Sequence, residues 1–372
     1  VNDGLTYSDS GVDTEAGDKA VEMMKEAVAR THGPEVVGGV GAFAGLFDAS
    51  VLKDYTRPLL ASSTDGVGTK IAIARALHTH DTVGRDLVAM VVDDIVVCGA
   101  RPLLMTDYIA CGKVVPERIA EIVRGVAEGC EEAGVALVGG ETAEHPGLME
   151  EDEYDLAGAA VGVVEADAVL GPDRVKEGDA VVALASSGLH SNGYSLVRAV
   201  VAKAGWALDR VVPETGRPLG VELLEPTRIY SRVCLELTTG HPGVRAFAHV
   251  TGGGLAANLC RVMPPGLAAV VARSSWAVPP IFEVIRTGGG VSWSDLEGTL
   301  NLGVGMVAIV DVDGADGLVA ACEAAGTPAW VMGEVLSDDG RRESPDVVRG
   351  AKGVEGGAVF LEGSYRSGSG EG

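Results

Sequence analysis

The segment Thr64-Asp65-Gly66-Val67-Gly68-Thr69-Lys70 follows the apolar run Pro58-Leu59-Leu60-Ala61-Ser62, and its reading decides the kind of fold this chain can have. The apolar run reads as a strand entering a loop. Two glycines separate an acid from a base, and without Cβ atoms they let backbone N–H groups come close to an anion. Asp65 suits Mg2+, a hard ion that takes carboxylate oxygens, and Lys70 has the reach for a phosphate. The same spacing also fits a hairpin turn at Asp65-Gly66 followed by a surface lysine. The pattern G-x-x-x-x-G-K-[ST] does not occur around it, so it is not a Walker A loop. Taken alone, the spacing leaves both readings open.

Working outward, Asp18–Arg30 reads as a helix upstream, and Gly38–Gly45 is glycine-rich. Gly39-x-Gly41-x-x-Ala44 resembles a dinucleotide fingerprint, but His32-Gly33-Pro34 interrupts the strand that should precede it. Downstream, Gly84–Val97 reads as a buried helix with Gly99 as its stop. Asp86 and Asp93 lie two turns apart and share a face. Carboxylates in so apolar a helix are costly unless paired or metal-bound, so Asp86, Asp93 and Asp94 are expected at a metal. Pro116 starts an amphipathic helix that Gly134 ends. Val135–Val138 is a short strand leading to Gly139-Gly140-Glu141-Thr142. Strand ends are where α/β proteins bind ligands, and a third carboxylate there suits Mg2+ on a triphosphate. A helix N-terminal acid beside Thr142 is the plainer alternative. Asp155–Val164 reads as a long strand.

Residues 165–178 carry the breakers Gly171-Pro172 and Glu177-Gly178, which divides the chain into domains over 1–168 and 174–345. Residues 363–372, rich in Gly and Ser, are expected to form a disordered tail. The second domain opens with a strand over 180–185, followed by Ser187-Gly188-Leu189-His190-Ser191-Asn192-Gly193. Asn and Ser bind phosphate or amide groups, and His moves protons near neutral pH. His249-Val250-Thr251-Gly252-Gly253-Gly254 holds three consecutive glycines, which suits anion contact by backbone N–H groups. A strand is expected over Gly305–Val312. Strands and helices alternate in both halves, which gives an α/β or α+β architecture.

Bulk composition narrows the function. A formal net charge of −24 over 372 residues excludes the basic footprint of a nucleic-acid binder. The six cysteines form no C-x-x-C pair, so neither a zinc site nor a disulfide framework is expected, and a reducing, cytoplasmic setting fits. No apolar stretch approaches the roughly 20 residues of a membrane helix.

The ordered set of motifs resembles the phosphoribosylformylglycinamidine cyclo-ligase family, also called aminoimidazole ribonucleotide synthetases. The matching pieces are Gly11-Val12-Asp13 with Ala16-Gly17-Asp18, Gly38–Gly45, Thr64–Lys70, Asp94-x4-Gly99-Ala100-x-Pro102, Gly139–Glu144, Ser187–Arg198, Pro226–Tyr230 and His249–Gly254. The resemblance implies a two-domain α+β/α/β synthetase fold, with an N-terminal sheet that pairs across a homodimer and a C-terminal α/β domain. It implies ATP and Mg2+ as cofactors and formylglycinamidine ribonucleotide as substrate. It places Lys25, Gly39, Gly41, Asp65, Gly66, Gly68, Thr69, Lys70, Asp94, Gly99, Ala100, Pro102, Gly140 and Glu141 at the nucleotide. Asp65, Asp94 and Glu141 are expected at the metal, and Ser191, Asn192, Thr251, Gly252 and Gly253 at the substrate. Asp94, His190 and His249 are the expected catalytic residues, and the sequence does not choose between the two histidines. Ser8 and Asp93 depart from the Lys and Asn expected of many members, and Asp93 adds charge beside the expected metal. The runner-up readings are a phosphotransferase resembling thiamine monophosphate kinase and a non-catalytic nucleotide-binding regulator.

Overall fold

A computed structural model describes residues 11, 13–39, 41–338, 347–351 and 353–366. Ser8, Val12 and the tail from 367 onward lie outside the described residues. The chain divides into two compact units, 1–95 with 100–166, and 96–99 with 167–372.

In the first unit, α1 spans Thr14–Arg30 and starts a turn earlier than the apolar periodicity indicates. The cause is a cap: the Asp13 carboxylate accepts from the Ala16 N–H at 3.0 Å. The strand β1 covers Pro58–Gly66. After a short 3-10 turn come α2 (Ile71–Leu77) and α3 (Asp81–Val96). Then follow β2 (Arg101–Cys111), α4 (Pro116–Ala133), β3 (Ala136–Glu144) and β4 (Tyr154–Glu165). Gly134 ends α4 at φ 74°, a left-handed position that glycine takes without strain.

The four strands form one sheet in the order β1-β4-β2-β3. β4 runs antiparallel to both β1 and β2, and β2 runs parallel to β3. One register row decides the site, because Asp65 pairs with Gly158, Gly158 with Asp107, and Asp107 with Gly140. Paired residues in a sheet share a face, and successive residues alternate. A Cβ on Gly158 would meet Met105 and Leu87, which lie on the face that the helices cover. Asp65 and Asp107 therefore face the helices. Leu60, Thr64 and Tyr108 face the other way and are exposed.

α3 and α4 pack at backbone distance. A Cβ on Gly84 would lie 2.4 Å from the Ile122 carbonyl oxygen, and one on Gly125 would lie 1.8 Å from that of Asp81. The α4 stripe Ile119, Ile122, Val123, Val126, Ala127 and Cys130 is buried, as its period requires.

The second unit is built on a seven-stranded mixed sheet. Its strands are β5 (Ala180–Ala185), β6 (Val244–His249), β7 (Leu267–Ala272), β8 (Val304–Val310), β9 (Ala329–Ser337), β10 (Val347–Ala351) and β11 (Val354–Glu362). Their order is β6-β8-β5-β9-β7-β11-β10. The helices used below are α5 (Tyr194–Ala204), α6 (Ser231–Gly240), α7 (Gly254–Leu259), α8 (Pro280–Gly289) and α9 (Ala315–Ala324). Val182, Leu184, Phe247, Met306, Leu237 and Leu318 form the heart of one core under this sheet. β10 and β11 extend the sheet past residue 345, the end expected for this domain. Residues 363–366, expected in a disordered tail, are instead packed. The Tyr365 ring meets Trp276 edge-on at 5.3 Å, and its hydroxyl donates to Glu297 Oε1 at 2.7 Å.

All six cysteines are free thiols. Among the described residues, no helix is long and apolar enough to cross a membrane.

Adding one methyl at Gly125 forces α4 away from α3. Gly125→Ala should lose about 1–3 kcal/mol of stability, read as a lower urea midpoint at an unchanged slope.

Candidate active site

The 64–70 loop resolves in an unexpected direction. Gly68 takes φ 73° with open space where a Cβ would lie, and Gly68 and Thr69 are exposed. Asp65 is half-buried and accepts from the Gly66 N–H at 2.7 Å. Lys70 turns inward. Positions 70, 73 and 74 fall on one helical stripe, and all three are buried. The Lys70 ammonium lies 2.9 Å from the Asp86 carboxylate, and both side chains are fully shielded from water. Lys70 is thus not the surface lysine that the spacing allowed; its ammonium is paired with Asp86. Asp86 is correspondingly an ion-pair partner of Lys70 rather than the expected metal ligand. Asp93, two turns along α3, is equally buried, and Asp94 beside it is half-buried.

The turn after α3 is built as its sequence indicates. Gly99 takes φ 81°, and its N–H donates to the Val96 carbonyl at 2.8 Å. Ala100 and Pro102 are buried.

The three expected metal carboxylates are not gathered. Asp65 lies on β1 at one edge of the sheet, and Glu141 on β3 at the other. Three strand spacings of about 4.8 Å separate them. Glu141 pairs with Tyr108, which puts it on the face opposite Asp65. Among the described residues, no three His, Cys, Asp or Glu side chains form a group that would hold a metal. The donor chemistry still suits Mg2+, which is bound through one or two carboxylates plus substrate phosphates rather than in an all-protein cage.

A cavity of about 280 Å3 lies in the first unit between α1, α4 and β3. It gathers four of the residues expected at the nucleotide: Gly39, Gly41, Gly140 and Glu141. Lys25 does not line it; its ammonium lies 2.5 Å from Glu22 on the outer surface of α1. Glu144, the last motif residue on β3, has a structural task. It accepts from the Asp13 and Val114 N–H groups at 2.8 and 2.6 Å, which ties the start of α1 to the sheet.

Sequence reasoning missed one carboxyl, Asp107, which also lines this cavity. Burial pushes it up to about 7, against an ordinary value of 3.8. The available signal was a single acid inside the apolar run Leu103–Cys111.

In the second unit, two loops meet. His190 takes φ 64°, is almost wholly buried, and its Nε2 accepts from the Ser187 N–H at 3.2 Å. Its ring lies 6.2 Å from that of Tyr230, whose hydroxyl donates to the Ala185 carbonyl at 2.8 Å. Ser191 and Thr227 share a hydrogen bond of 2.9 Å. A Cβ on Gly252 would come within 3.2 Å of Asn192 Oδ1, so Asn192 and the Thr251–Gly253 loop are neighbours. Asn258 holds that loop, its amide donating to the carbonyls of Thr251 at 3.1 Å and Gly254 at 2.8 Å. His249 ends β6 opposite Met306, adjacent to Gly305. A Cβ on Gly305 would lie 2.0 Å from the Tyr230 hydroxyl and 2.5 Å from His190 Cε1, so that glycine makes room for both rings. α5 then begins after Gly193, whose carbonyl accepts from the Leu196 and Val197 N–H groups at 3.0 and 3.2 Å. The expected residues His190, Ser191, Asn192, Thr251, Gly252 and Gly253 are thus collected within this unit. A separate cavity of about 880 Å3, lined by Arg273, Arg286, Trp293 and Tyr365, contains none of the expected residues.

Residues 47–164 match the family described as AIR synthase related protein, N-terminal domain, and residues 176–343 match its C-terminal domain. The chain belongs to this family. Within it, the chain is 51% identical over 335 residues to a phosphoribosylformylglycinamidine cyclo-ligase of Geobacillus kaustophilus, covering 90% of this chain and 96% of that one. It is 48% identical over 332 residues to the same enzyme of Desulfitobacterium hafniense, covering 89% and 97%. Among solved structures, thiamine-monophosphate kinase from Stenotrophomonas maltophilia matches with a TM-score of 0.65 at 18% identity, over 92% of this chain and 97% of that one. The hydrogenase maturation protein HypE in complex with ATP matches with 0.60 at 21%, over 89% and 90%. These structural likenesses speak to fold alone.

Two measurements check the electrostatics. Lys70→Met leaves Asp86 without its cation and should cost about 3–5 kcal/mol. Urea unfolding should show that loss, and Lys70→Met with Asp86→Leu should recover much of it. For Asp107, the folded chain favours the neutral acid. Its contribution to stability is fully present below 3.8 and is lost as pH rises to about 7. Asp107→Asn should remove that component from the melting temperature measured across this window.

Proposed function

We propose that the chain closes the imidazole ring of aminoimidazole ribonucleotide, converting formylglycinamidine ribonucleotide and ATP to the ring product, ADP and phosphate. The observation that carries this reading is the 51% identity, which runs through both domains of a named cyclo-ligase. The alternative phosphotransferase reading rests on likeness of fold at 18% identity. The non-catalytic regulator has no observation in its favour.

The chemistry needs a poor leaving group made good. ATP phosphorylates the formyl amide oxygen to an iminophosphate. The ribosyl-bearing nitrogen attacks that carbon, the C–O bond breaks, and the oxygen leaves in phosphate. The protein's tasks are positioning and charge neutralisation. Gly252 and Gly253 offer backbone N–H groups to phosphate, and Asn192 beside them offers an amide. The buried His190 ring, held by the Ser187 N–H, supplies a proton acceptor or donor to groups entering that loop. His249 is the second candidate. Asp65 and Asp94 are the carboxylates that would hold Mg2+, and the ion would supply charge neutralisation for the phosphates. Glu141, on the other face of the sheet, would serve a separate ion or none.

A homodimer fits the open face of the first sheet. Leu60 and Tyr108 are 64% and 40% exposed there, an apolar surface that a second copy of the sheet would cover.

The test is direct. The chain incubated with formylglycinamidine ribonucleotide, ATP and Mg2+ should yield the aminoimidazole product and ADP in equal amounts. ADP without ring product would overturn the reading. Asp94→Ala should lower turnover about a hundredfold or more while leaving the melting temperature near the parent's.

A further inference from the structure

Residues 297–302 of the second unit press on both loops of the candidate site. The short helix Trp293–Glu297 ends there, and a Cβ on Gly254 would lie 1.7 Å from the Glu297 carbonyl oxygen. Leu300, fully buried, stands against the other loop: a Cβ on Gly193 would lie 2.4 Å from its Cδ2. The Asn301 amide donates to the Gly188 carbonyl at 3.0 Å. The loops that carry Asn192 and Gly252 therefore pack on this one stretch of chain.

The stretch is itself held at both ends. Leu302 takes φ 49°, a strained value for a bulky residue, and such strain persists only where neighbours over-determine it. The Trp276 indole N–H donates to the Leu302 carbonyl at 2.9 Å. At the other end, the Glu297 carboxylate accepts two hydrogen bonds from Arg273, at 2.5 and 2.9 Å, and one from the Tyr365 hydroxyl at 2.7 Å. Arg273 in turn donates to the Leu361 carbonyl at 2.6 Å, which ties Glu297 to β11. Tyr365 joins the two ends, because the ring whose hydroxyl meets Glu297 also packs edge-on against Trp276 at 5.3 Å. Burial and then the Glu297 carboxylate push its phenol up, so it keeps the proton that it donates. Tyr365 lies past residue 343, where the match to the family's C-terminal domain ends. We propose that Tyr365 is a positioning residue for ring closure: through Glu297 and Trp276 it holds residues 297–302, and through them the loops that receive the ribonucleotide substrate. This deepens the cyclo-ligase reading and rests on it.

Two variants of the full chain test the proposal from opposite ends. Tyr365→Phe keeps the ring on Trp276 and removes the hydrogen bond to Glu297, and Trp276→Phe removes the one to Leu302. Each should raise the KM for formylglycinamidine ribonucleotide about tenfold, because misplaced positioning groups are costly, and leave the KM for ATP at the parent's value. Amide hydrogen exchange over 187–193 and 251–254 should quicken in both variants, while exchange in α4 stays at the parent's rate. A tyrosine that merely stabilises the fold would lower the melting temperature and leave both KM values and the loop exchange unchanged; that result overturns the proposal. So does a KM that rises equally for ATP and the ribonucleotide. A parent that makes no ring product overturns the cyclo-ligase reading instead, and faster loop exchange in the variants would still support the hold of Tyr365 on the loops.

Discussion

The Lys70–Asp86 ion pair is the constraint on which the first unit turns. Both side chains are fully buried, 2.9 Å apart. Two charges out of water hold each other in place, because parting them leaves each uncompensated at a cost of several kcal/mol. Lys70 ends the turn that follows Asp65 and Gly68, and Asp86 lies in the middle of α3. The pair therefore fixes the exposed Gly68-Thr69 corner to the helix that carries Asp94 one residue past the buried Asp93. The lysine contributes by holding that corner in place through its buried pair with Asp86.

This explains how much of the site the sequence could show. The elements were legible, since apolar period and breakers are local signals. The strand over 180–185, the α4 stripe and the Gly99 and Gly134 stops all fall where local chemistry puts them. Which carboxylates share a face was not legible. That depends on strand order and register, which pair Asp65 with Gly158 and Glu141 with Tyr108 across a sheet whose chain order is scrambled. Lys70 misled for a related reason. Its spacing from Asp65 fits a phosphate loop, while the partner that claims it lies sixteen residues on, in a different helix. Asp107 was visible as an acid in an apolar strand, but the Gly140 that leaves room for its carboxyl lies more than thirty residues away in the chain.

Glycine does two distinct jobs here, and the sequence does not separate them. Gly68, Gly99, Gly134 and Gly253 take left-handed φ values that end or turn an element. Gly84, Gly125, Gly140 and Gly305 are ordinary in φ and matter for the volume they leave empty. The first kind is replaceable by Asn at modest cost, because Asn visits that region. The second kind is not, because any Cβ meets backbone or a site side chain. Motif glycines of both kinds look alike in a string of letters.

The second unit applies the same volume logic to its histidine. Tyr230 and His190 converge on β8 at Gly305, where a Cβ would collide with both. The Tyr230 hydroxyl is committed to the Ala185 carbonyl at the end of β5, and the Ser187 N–H to His190 Nε2. The ring is thus held by a strand end, a loop N–H and an aromatic neighbour, with the backbone at φ 64°. A non-glycine residue in that region is strained, and such strain persists only where surrounding contacts over-determine it. A histidine needed merely to cap a loop would not require a glycine on a neighbouring strand and a tyrosine anchored to a third element. The arrangement fixes the position of the ring, beyond merely keeping a histidine in the loop.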